Sequence, residues 1–146
     1  ADSLDGGLSS DTASYAGATS GIGLTLAASG SGTLGDANGD VLTGIESVIG
    51  SGFADDFTLA LGNGWSVDGG AGLDTVLLAA NSGTVTESQL TGVLSHVEDI
   101  DFTSSNTAAN LTVDASFIQS LVGAGAGSEL TINTGARCCR SRSSRA

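Results

Sequence analysis

One short segment restricts the backbone of this chain more than any other. Residues 69–77 read Gly-Gly-Ala-Gly-Leu-Asp-Thr-Val-Leu and match the nine-residue pattern G-G-x-G-x-D-x-U-x, with U apolar, at every fixed position. Closely spaced glycines permit backbone conformations that are closed to residues with a Cβ, so carbonyl oxygens can turn inward. Val76, two places after Asp74, begins an apolar strand that faces a core. The segment therefore predicts a tight turn followed directly by a strand.

The same segment has the chemistry of a calcium site. Calcium is a hard cation that takes about 6–8 oxygen ligands. Asp74 supplies a charged carboxylate, and the carbonyl groups of Gly70 and Gly72 supply neutral oxygens. We predict that these three residues bind calcium.

Weaker copies of the pattern surround the complete one. Residues 6–13 keep the two leading glycines and Asp11, and residues 35–42 keep Gly35, Asp40 and Leu42. Asp and Asn also favour turns without any metal, so each of these residues has a second explanation. The further predicted metal ligands are Asp11, Asp36, Asn38, Asp40, Asp55, Asp56 and Asp68.

An EF-hand is a poor alternative for residues 36–47. Asp36, Asn38 and Asp40 match the opening of such a loop. However, Val41 stands where the loop needs glycine, and Ser47 stands where it needs a bidentate glutamate. No amphipathic helices flank the segment, so we do not expect an EF-hand.

Charge is distributed unevenly along the chain. All 16 acidic residues lie in residues 1–136, the four Arg lie in 137–146, and there is no Lys. The carboxylates of residues 1–136 therefore need a metal ion, a backbone N–H or water as a partner. Because phosphate binding needs Lys and Arg, nucleic acid is not expected as a partner.

Short apolar strands at regular intervals indicate an all-β fold. From residue 50 to residue 78 a turn signal recurs every eight to ten residues, which is typical of stacked strands that bury one face on their neighbours. Residues 22–26 alternate as a half-buried strand, residues 30–35 look like a loop, and Trp65 suits a core. The predicted inward residues are Leu24, Leu26, Val48, Phe57, Leu59, Val67, Val76 and Leu78.

The second half of the chain has a different pattern. Residues 94–100 repeat the form of residues 42–48, 52 positions later, and Glu46 and Glu98 are expected to be exposed strand residues. Strands are predicted at 111–113 and 130–132. A short helix capped by Asp114 would lie between them, with the apolar face Phe117, Ile118, Leu121 and Val122.

Taken together, the strings DTASYAGATSGIGLTLA, GDVLTGIESVIGSGFADDFTL and DGGAGLDTVLL resemble the RTX, or haemolysin-type calcium-binding, region of large exported bacterial proteins. The resemblance covers residues 1–136. It implies a parallel β-roll or β-solenoid, export by a type I system, and folding outside the cell on calcium. The degenerate repeats and the basic tail depart from the family pattern.

We expect one β-solenoid domain over residues 1–136, with a calcium-repeat half (1–78) and a C-terminal half (79–136) holding at most one or two short helices. Residues 137–146 form a basic tail, expected to be disordered or non-native. No apolar run approaches the ~20 residues that span a bilayer. The chain starts at Ala1 without Met or a secretory signal, so it is expected to be a processed product or a fragment.

Catalytic patterns are weak. His96 has no H-E-x-x-H companion, and no G-x-S-x-G elbow occurs. We therefore expect a non-catalytic calcium-binding module of a secreted or cell-surface protein. The alternative is a self-assembling structural subunit of a surface layer, matrix or filament that associates through its solenoid ends. A glycan or other surface target is not identifiable from the residues.

Overall fold

The computed structural model describes residues 1–79, 85–102, 115–122 and 130–133. Within these residues the protein is mostly β-sheet, with two short α-helices and no closed barrel, as the sequence predicts. The helices are α1 (Glu87–Leu90) and α2 (Ala115–Val122), and a 3-10 helix spans Gly35–Ala37. The strands are β1 (Ser3–Asp5), β2 (Thr12–Ser14), β3 (Gly23–Leu26), β4 (Gly30–Leu34), β5 (Val41–Thr43), β6 (Ser47–Ile49), β7 (Asp56–Leu59), β8 (Ser66–Asp68), β9 (Thr75–Leu78), β10 (Leu94–Ser95), β11 (Asp99–Asp101) and β12 (Thr131–Asn133).

The strands form two sheets in which parallel pairing predominates. The smaller sheet has the order β10-β8-β6-β2, and every neighbouring pair is parallel. The larger sheet has the order β1-β5-β4-β3-β7-β9-β11-β12, and only β4 runs antiparallel to its neighbours. Because parallel neighbours need a crossover connection, the chain passes repeatedly from one sheet to the other.

These passages define four layers. The first layer contains β2 and β3, the second β6 and β7, the third β8 and β9, and the fourth β10 and β11. Strands of successive layers pair in register, so that Val48 lies beside Val67 and Phe57 beside Val76. β1 and β5 lead into the first two layers and pair with each other.

The core lies between the sheets. Along each strand, every second side chain points into it. The predicted inward residues Leu24, Leu26, Val48, Phe57, Leu59, Val67, Val76 and Leu78 are all buried, with at most 1% of each exposed. This prediction is confirmed because alternation along a strand places residues i and i+2 on one face. Trp65 is also buried, and its Nε1–H donates to the carbonyl oxygen of Ala27 at 2.6 Å.

The predicted loop at residues 30–35 is wrong, because Gly30–Leu34 forms β4. This strand pairs antiparallel with both β3 and β5. A Cβ on Gly32 would overlap the carbonyl group of Ala37, and a Cβ on Gly30 would press on Leu42 and Trp65. The glycines that suggest a loop in the sequence therefore serve close approach of neighbouring backbones within a sheet.

In the second half of the chain, the predicted helix and the last predicted strand are confirmed. In α2, Phe117 and Leu121 are buried, and β12 lies within one residue of its predicted position. Helix α1 was not predicted, although Gln89 accepts the N–H of Thr86 at 2.8 Å, a T-x-x-Q signature of helix starts. The predicted strand at 111–113, the cap Asp114 and the tail 137–146 lie outside the described residues.

We expect Val76→Ala to lower the free energy of unfolding by about 1–3 kcal/mol, because it removes buried methyl groups and leaves a cavity. Val41 on β5 is 48% exposed, so Val41→Ala should change stability by less than roughly 0.5 kcal/mol. Denaturant unfolding followed by circular dichroism measures both variants. If both variants lost the same free energy of unfolding, Val76 would not belong to the core.

Candidate functional site

The acidic residues at the ends of the turns between strands form the most regular polar feature of the protein. Three six-residue turns begin with glycine and end with aspartate: Gly6–Asp11, Gly50–Asp55 and Gly69–Asp74. Two three-residue turns, Gly44–Glu46 and His96–Glu98, end with glutamate. In each case the acidic residue directly precedes a strand. Every one of these carboxyl groups therefore lies where the next strand begins.

Along one run of turns, each carboxylate accepts the backbone N–H of its counterpart in the preceding layer. Asp55 Oδ1 accepts from Ile22 at 2.8 Å, and Asp74 Oδ1 accepts from Asp55 at 2.9 Å. Glu98 Oε2 accepts from Asp74, also at 2.9 Å. We call this series the amide–carboxylate ladder. Charge-assisted bonds of this kind are stronger than neutral ones, so the ladder joins the layers at fixed height.

The same arrangement occurs at a second place in the first two layers. Glu46 Oε2 accepts the N–H of Asp11 at 3.0 Å. Gly7 donates its N–H to Asp5 Oδ1 at 3.1 Å, and Gly70 donates to Asp68 Oδ1 at the same distance. Residues 3–14 with 42–48 therefore form one unit, and residues 66–77 with 94–100 form an equivalent unit.

The first glycine of each six-residue turn is required by close packing. A Cβ on Gly69 would collide with the carbonyl oxygen of His96 and with the carboxylate of Asp74. Gly50 meets Gly69 and Asp55 in the same way, and Gly6 meets Gly44 and Asp11. The geometry that recurs in the three turns thus brings the terminal Asp side chain over the first residue of its own turn.

Asp74 lies at the most electrostatically unfavourable place in the ladder. Its side chain is fully buried, and Oδ2 has no hydrogen-bond partner within the described residues. Burial raises the pKa of Asp74 to about 7; the N–H of Asp55 opposes this, while the charges of Asp55, Glu98 and Asp68 add to it. A cation beside this carboxylate would relieve both the burial and the repulsion.

Asp55 occupies an equivalent turn position but has a full set of partners. Oδ1 accepts from Ile22 N–H and from Ser51 Oγ at 2.7 Å, and Oδ2 accepts from Ser51 N–H at 2.6 Å. Backbone and hydroxyl donors compensate its burial. The contrast lies in the second residue of each turn: Ser51 donates its N–H to Asp55 Oδ2, whereas the N–H of Gly70 donates to Asp68 Oδ1, which leaves Asp74 Oδ2 without a partner within the described residues.

Asp68 and His96 form an ion-pair geometry next to Asp74. His96 Nδ1 lies 2.7 Å from Asp68 Oδ1, and both side chains are partly exposed. His96 has a φ of +48°, and Gly44 has a φ of +61° in the equivalent turn. A left-handed backbone is uncommon outside glycine, so His96 keeps a glycine-like turn while placing an imidazole against Asp68.

The remaining predicted ligands lie apart from this group. The carboxylate of Asp40 is buried and accepts from Asp2 N–H at 2.7 Å and from Tyr15 Oη at 3.0 Å. Burial acts to raise the pKa of Asp40, but these donors and the Ala1 ammonium group, 3.6 Å away, lower it overall. Burial raises the pKa of Tyr15, and the hydrogen bond and the charge of Asp40 add to this effect.

Three further predicted ligands are exposed. Asp36 accepts the N–H of Thr19 at 3.2 Å, and Asn38 follows the 3-10 helix, where its N–H donates to Gly35. Asp56 faces solvent on β7. Of the predicted ligands, the structure therefore brings together Asp55, Asp68 and Asp74. Gly70 and Gly72 lie in the turn that ends at Asp74, with φ values of +94° and +146°.

Sequence reasoning missed the roles of Glu46 and Glu98. Both were expected to be exposed strand residues, but both lie in turns and accept an N–H from the preceding layer. Glu46 is exposed, and Glu98 is half-buried. The 52-residue spacing between the two segments indicated that they share a structure, and the same comparison assigns them one role.

The described residues contain no group of three or more His, Cys, Asp and Glu side chains arranged to hold a metal ion. A cation at Asp74 would therefore depend on main-chain oxygens and water for most of its ligands. Among the helices of the described ranges, none has the length and apolar character to cross a membrane.

Comparison with known proteins gave no relative of this chain: no family model, curated protein or solved structure matches it.

Gly69→Ala should lower the free energy of unfolding by about 1–3 kcal/mol, since the new methyl group meets a carbonyl oxygen and a carboxylate. Gly52→Ala provides the matched control, because a Cβ at Gly52 has no atom within 4 Å and its φ is not positive. Thermal melting of both variants measures the difference. Similar melting temperatures would contradict the packing described for the first turn residue.

Ionisation of Asp74 should destabilise the metal-free protein. Its pKa is about 7 in the folded chain against 3.8 ordinarily, so between these values the folded state binds the extra proton and stability falls as the pH rises. Asp74→Asn cannot ionise. We therefore expect the variant to gain melting temperature relative to the unmodified protein as the pH rises from 4 to 8. If the melting temperatures of the two proteins changed with pH in parallel, the raised pKa of Asp74 would be excluded.

Proposed function

We propose that the protein is a non-catalytic calcium-binding module whose fold a divalent cation stabilises. The observation that carries this proposal is the buried carboxylate of Asp74. One of its oxygens has no partner in the described part of the chain, and three further carboxylates act on it. Residues 1–136 contain no Lys or Arg that could neutralise this group. A cation bound among these carboxylates would attract each of them and would offset their mutual repulsion.

The donors near Asp74 suit calcium better than a transition metal. Carboxylate and carbonyl oxygens favour hard cations, and soft ligands are lacking in residues 1–136, where there is no Cys. We assign the carboxylate of Asp74 and the carbonyl groups of Gly70 and Gly72 as ligands. Magnesium demands tighter octahedral geometry and loses its water reluctantly, so it should bind less well.

The equivalent turn Gly6–Asp11 is the second candidate of the same kind. Oδ2 of Asp11 is also buried without a hydrogen-bond partner among the described residues. Its N–H donates to Glu46 as that of Asp74 donates to Glu98. Asp11 is only partly buried, so water can solvate it, and we rank it below Asp74.

We further propose that the four layers are successive turns of a parallel β-solenoid related to the RTX repeat regions. In-register parallel pairing from β3 through β11 supports this, as does the recurrence of one turn type between layers. Calcium would then act during folding, because binding energy becomes folding energy when no site exists in the unfolded chain. A calcium-rich setting outside the cell suits such a protein.

The carboxylates of the site support a structural role over a catalytic one. Asp55, Asp74 and Glu98 accept backbone N–H groups from the neighbouring layer, which fixes the position of each. Self-assembly is the weaker alternative. Two copies would bring acidic surfaces together with no Lys or Arg from residues 1–136 between them.

Calcium should raise the melting temperature of the protein well above that in chelator, and magnesium should raise it much less. In calorimetric titration Asp74→Asn should lose most calcium affinity, because it loses the charged ligand. Asp2→Asn removes the same charge at an exposed position outside the site and should keep the affinity. Equal melting in calcium and chelator, or an unchanged affinity in Asp74→Asn, would refute the proposal.

A further inference from the structure

We propose that the end of the protein formed by β1, the turn Gly6–Asp11 and β2 binds an extended, positively charged segment of another polypeptide. The bound segment would add to the stack as one further layer. We call this surface, residues 3–14, the first-layer end. The inference is independent of calcium binding at Asp74.

The first-layer end exposes two strand edges side by side. β1 is the last strand of the larger sheet, and β2 is the last strand of the smaller one. Ser47 donates its N–H to Asp11, and Tyr15 donates to Ile49. Since backbone groups alternate along a strand, Thr12 and Ser14 direct theirs away from β6. Such an edge is a template for an added strand.

The equivalent unit elsewhere in the chain shows what fits on this surface. Residues 66–77 have the same turn as residues 3–14, and residues 47–59 pack against them through β6 and β7. Within that contact the N–H of Asp55 donates to Asp74. No described strand pairs with the outer edge of β1 or of β2. The ligand is therefore a strand–turn–strand segment with the shape of residues 47–59.

Asp11 presents an acceptor for such a segment. In later layers the last residue of the turn accepts an N–H from the layer before it, as at Asp55, Asp74 and Glu98. Asp11 belongs to the first layer. Its Oδ2 is buried, but its Oδ1, the atom that accepts in Asp55 and Asp74, is not buried and has no hydrogen-bond partner in the described part of the chain. An added layer would supply the missing N–H and continue the amide–carboxylate ladder.

Charge decides the chemistry of the partner. Asp2, Asp5 and Asp11 lie at or beside the first-layer end, and residues 1–136 have no Lys or Arg. Residues 1–136 of a second copy would bring only further acidic groups to this end, whereas a segment with Lys or Arg would be attracted to it. The charges therefore favour a cationic partner over self-association through residues 1–136.

The probe is a synthetic peptide with the sequence of residues 47–59 carrying Asp55→Lys and Asp56→Lys, labelled for fluorescence anisotropy. We expect saturable binding to the full chain and none by a scrambled peptide of equal composition. Ser14→Pro removes an outward N–H at a position where an edge strand tolerates proline, and it should abolish binding. Asp11→Ala should weaken binding about ten-fold, by loss of a hydrogen bond to a charged group.

Asp56→Ala is the matched control, because it removes the same charge from an exposed position on β7 and should leave peptide binding unchanged. Circular dichroism checks that each variant folds. The proposal is overturned if the peptide shows no saturable binding, or if the Ser14→Pro and Asp11→Ala variants bind it as tightly as the unmodified chain does. So does a concentration-dependent dimer, detected by sedimentation without peptide, that Ser14→Pro abolishes, because a second copy would then occupy the end.

Discussion

The hydrogen bond from a backbone N–H to the carboxylate of the next layer is the interaction on which the described structure depends. Parallel strands alone do not define where one layer stands relative to the next, because short apolar strands can slip along each other. The carboxylates of Asp55, Asp74 and Glu98 remove that freedom at the point where each strand begins. They also bring negative charge into the interior, and that charge creates the candidate site.

Identical turn positions can differ in their chemical state because of a single neighbour. Asp55 Oδ2 accepts the N–H of Ser51, whereas the N–H of Gly70 in the same place donates to Asp68, so Asp74 retains an oxygen without a partner among the described residues. One carboxylate is therefore a satisfied structural group, and the other is a group in need of a proton or a cation. This distinction arises from hydrogen bonds within each turn, since both carboxylates accept an N–H from the preceding layer.

Much of the fold could be predicted from the sequence. The apolar alternation identified the inward residues, such as Phe57 and Val76, because strand geometry fixes which side chains share a face. The G-G-x-G-x-D pattern identified a tight turn before β9. The strand β4 was missed because its glycines serve packing, and composition alone does not separate that use from a loop.

The candidate site was less predictable than the fold. Sequence reasoning selected Asp74, but it also selected Asp36, Asn38 and Asp40, which have separate partners. It missed Glu98 because a ladder between layers depends on register, and register depends on how many residues each turn contains. Glu98 ends a three-residue turn and Asp74 ends a six-residue turn, yet the strands that follow them pair in register, so the two residues lie side by side. The length of either turn alone does not reveal this.

The hairpin of β3 and β4 has a consequence for how the chain folds. Its strands are joined within a few residues, and β5 follows on the other side of β4. Most other described pairs join strands separated by a full layer of chain, so each must close a longer loop before any contact forms. Local pairing is fast, and non-local parallel pairing is slow. We therefore expect the antiparallel strand β4 to pair early in folding, and the later layers to assemble onto the first two in chain order.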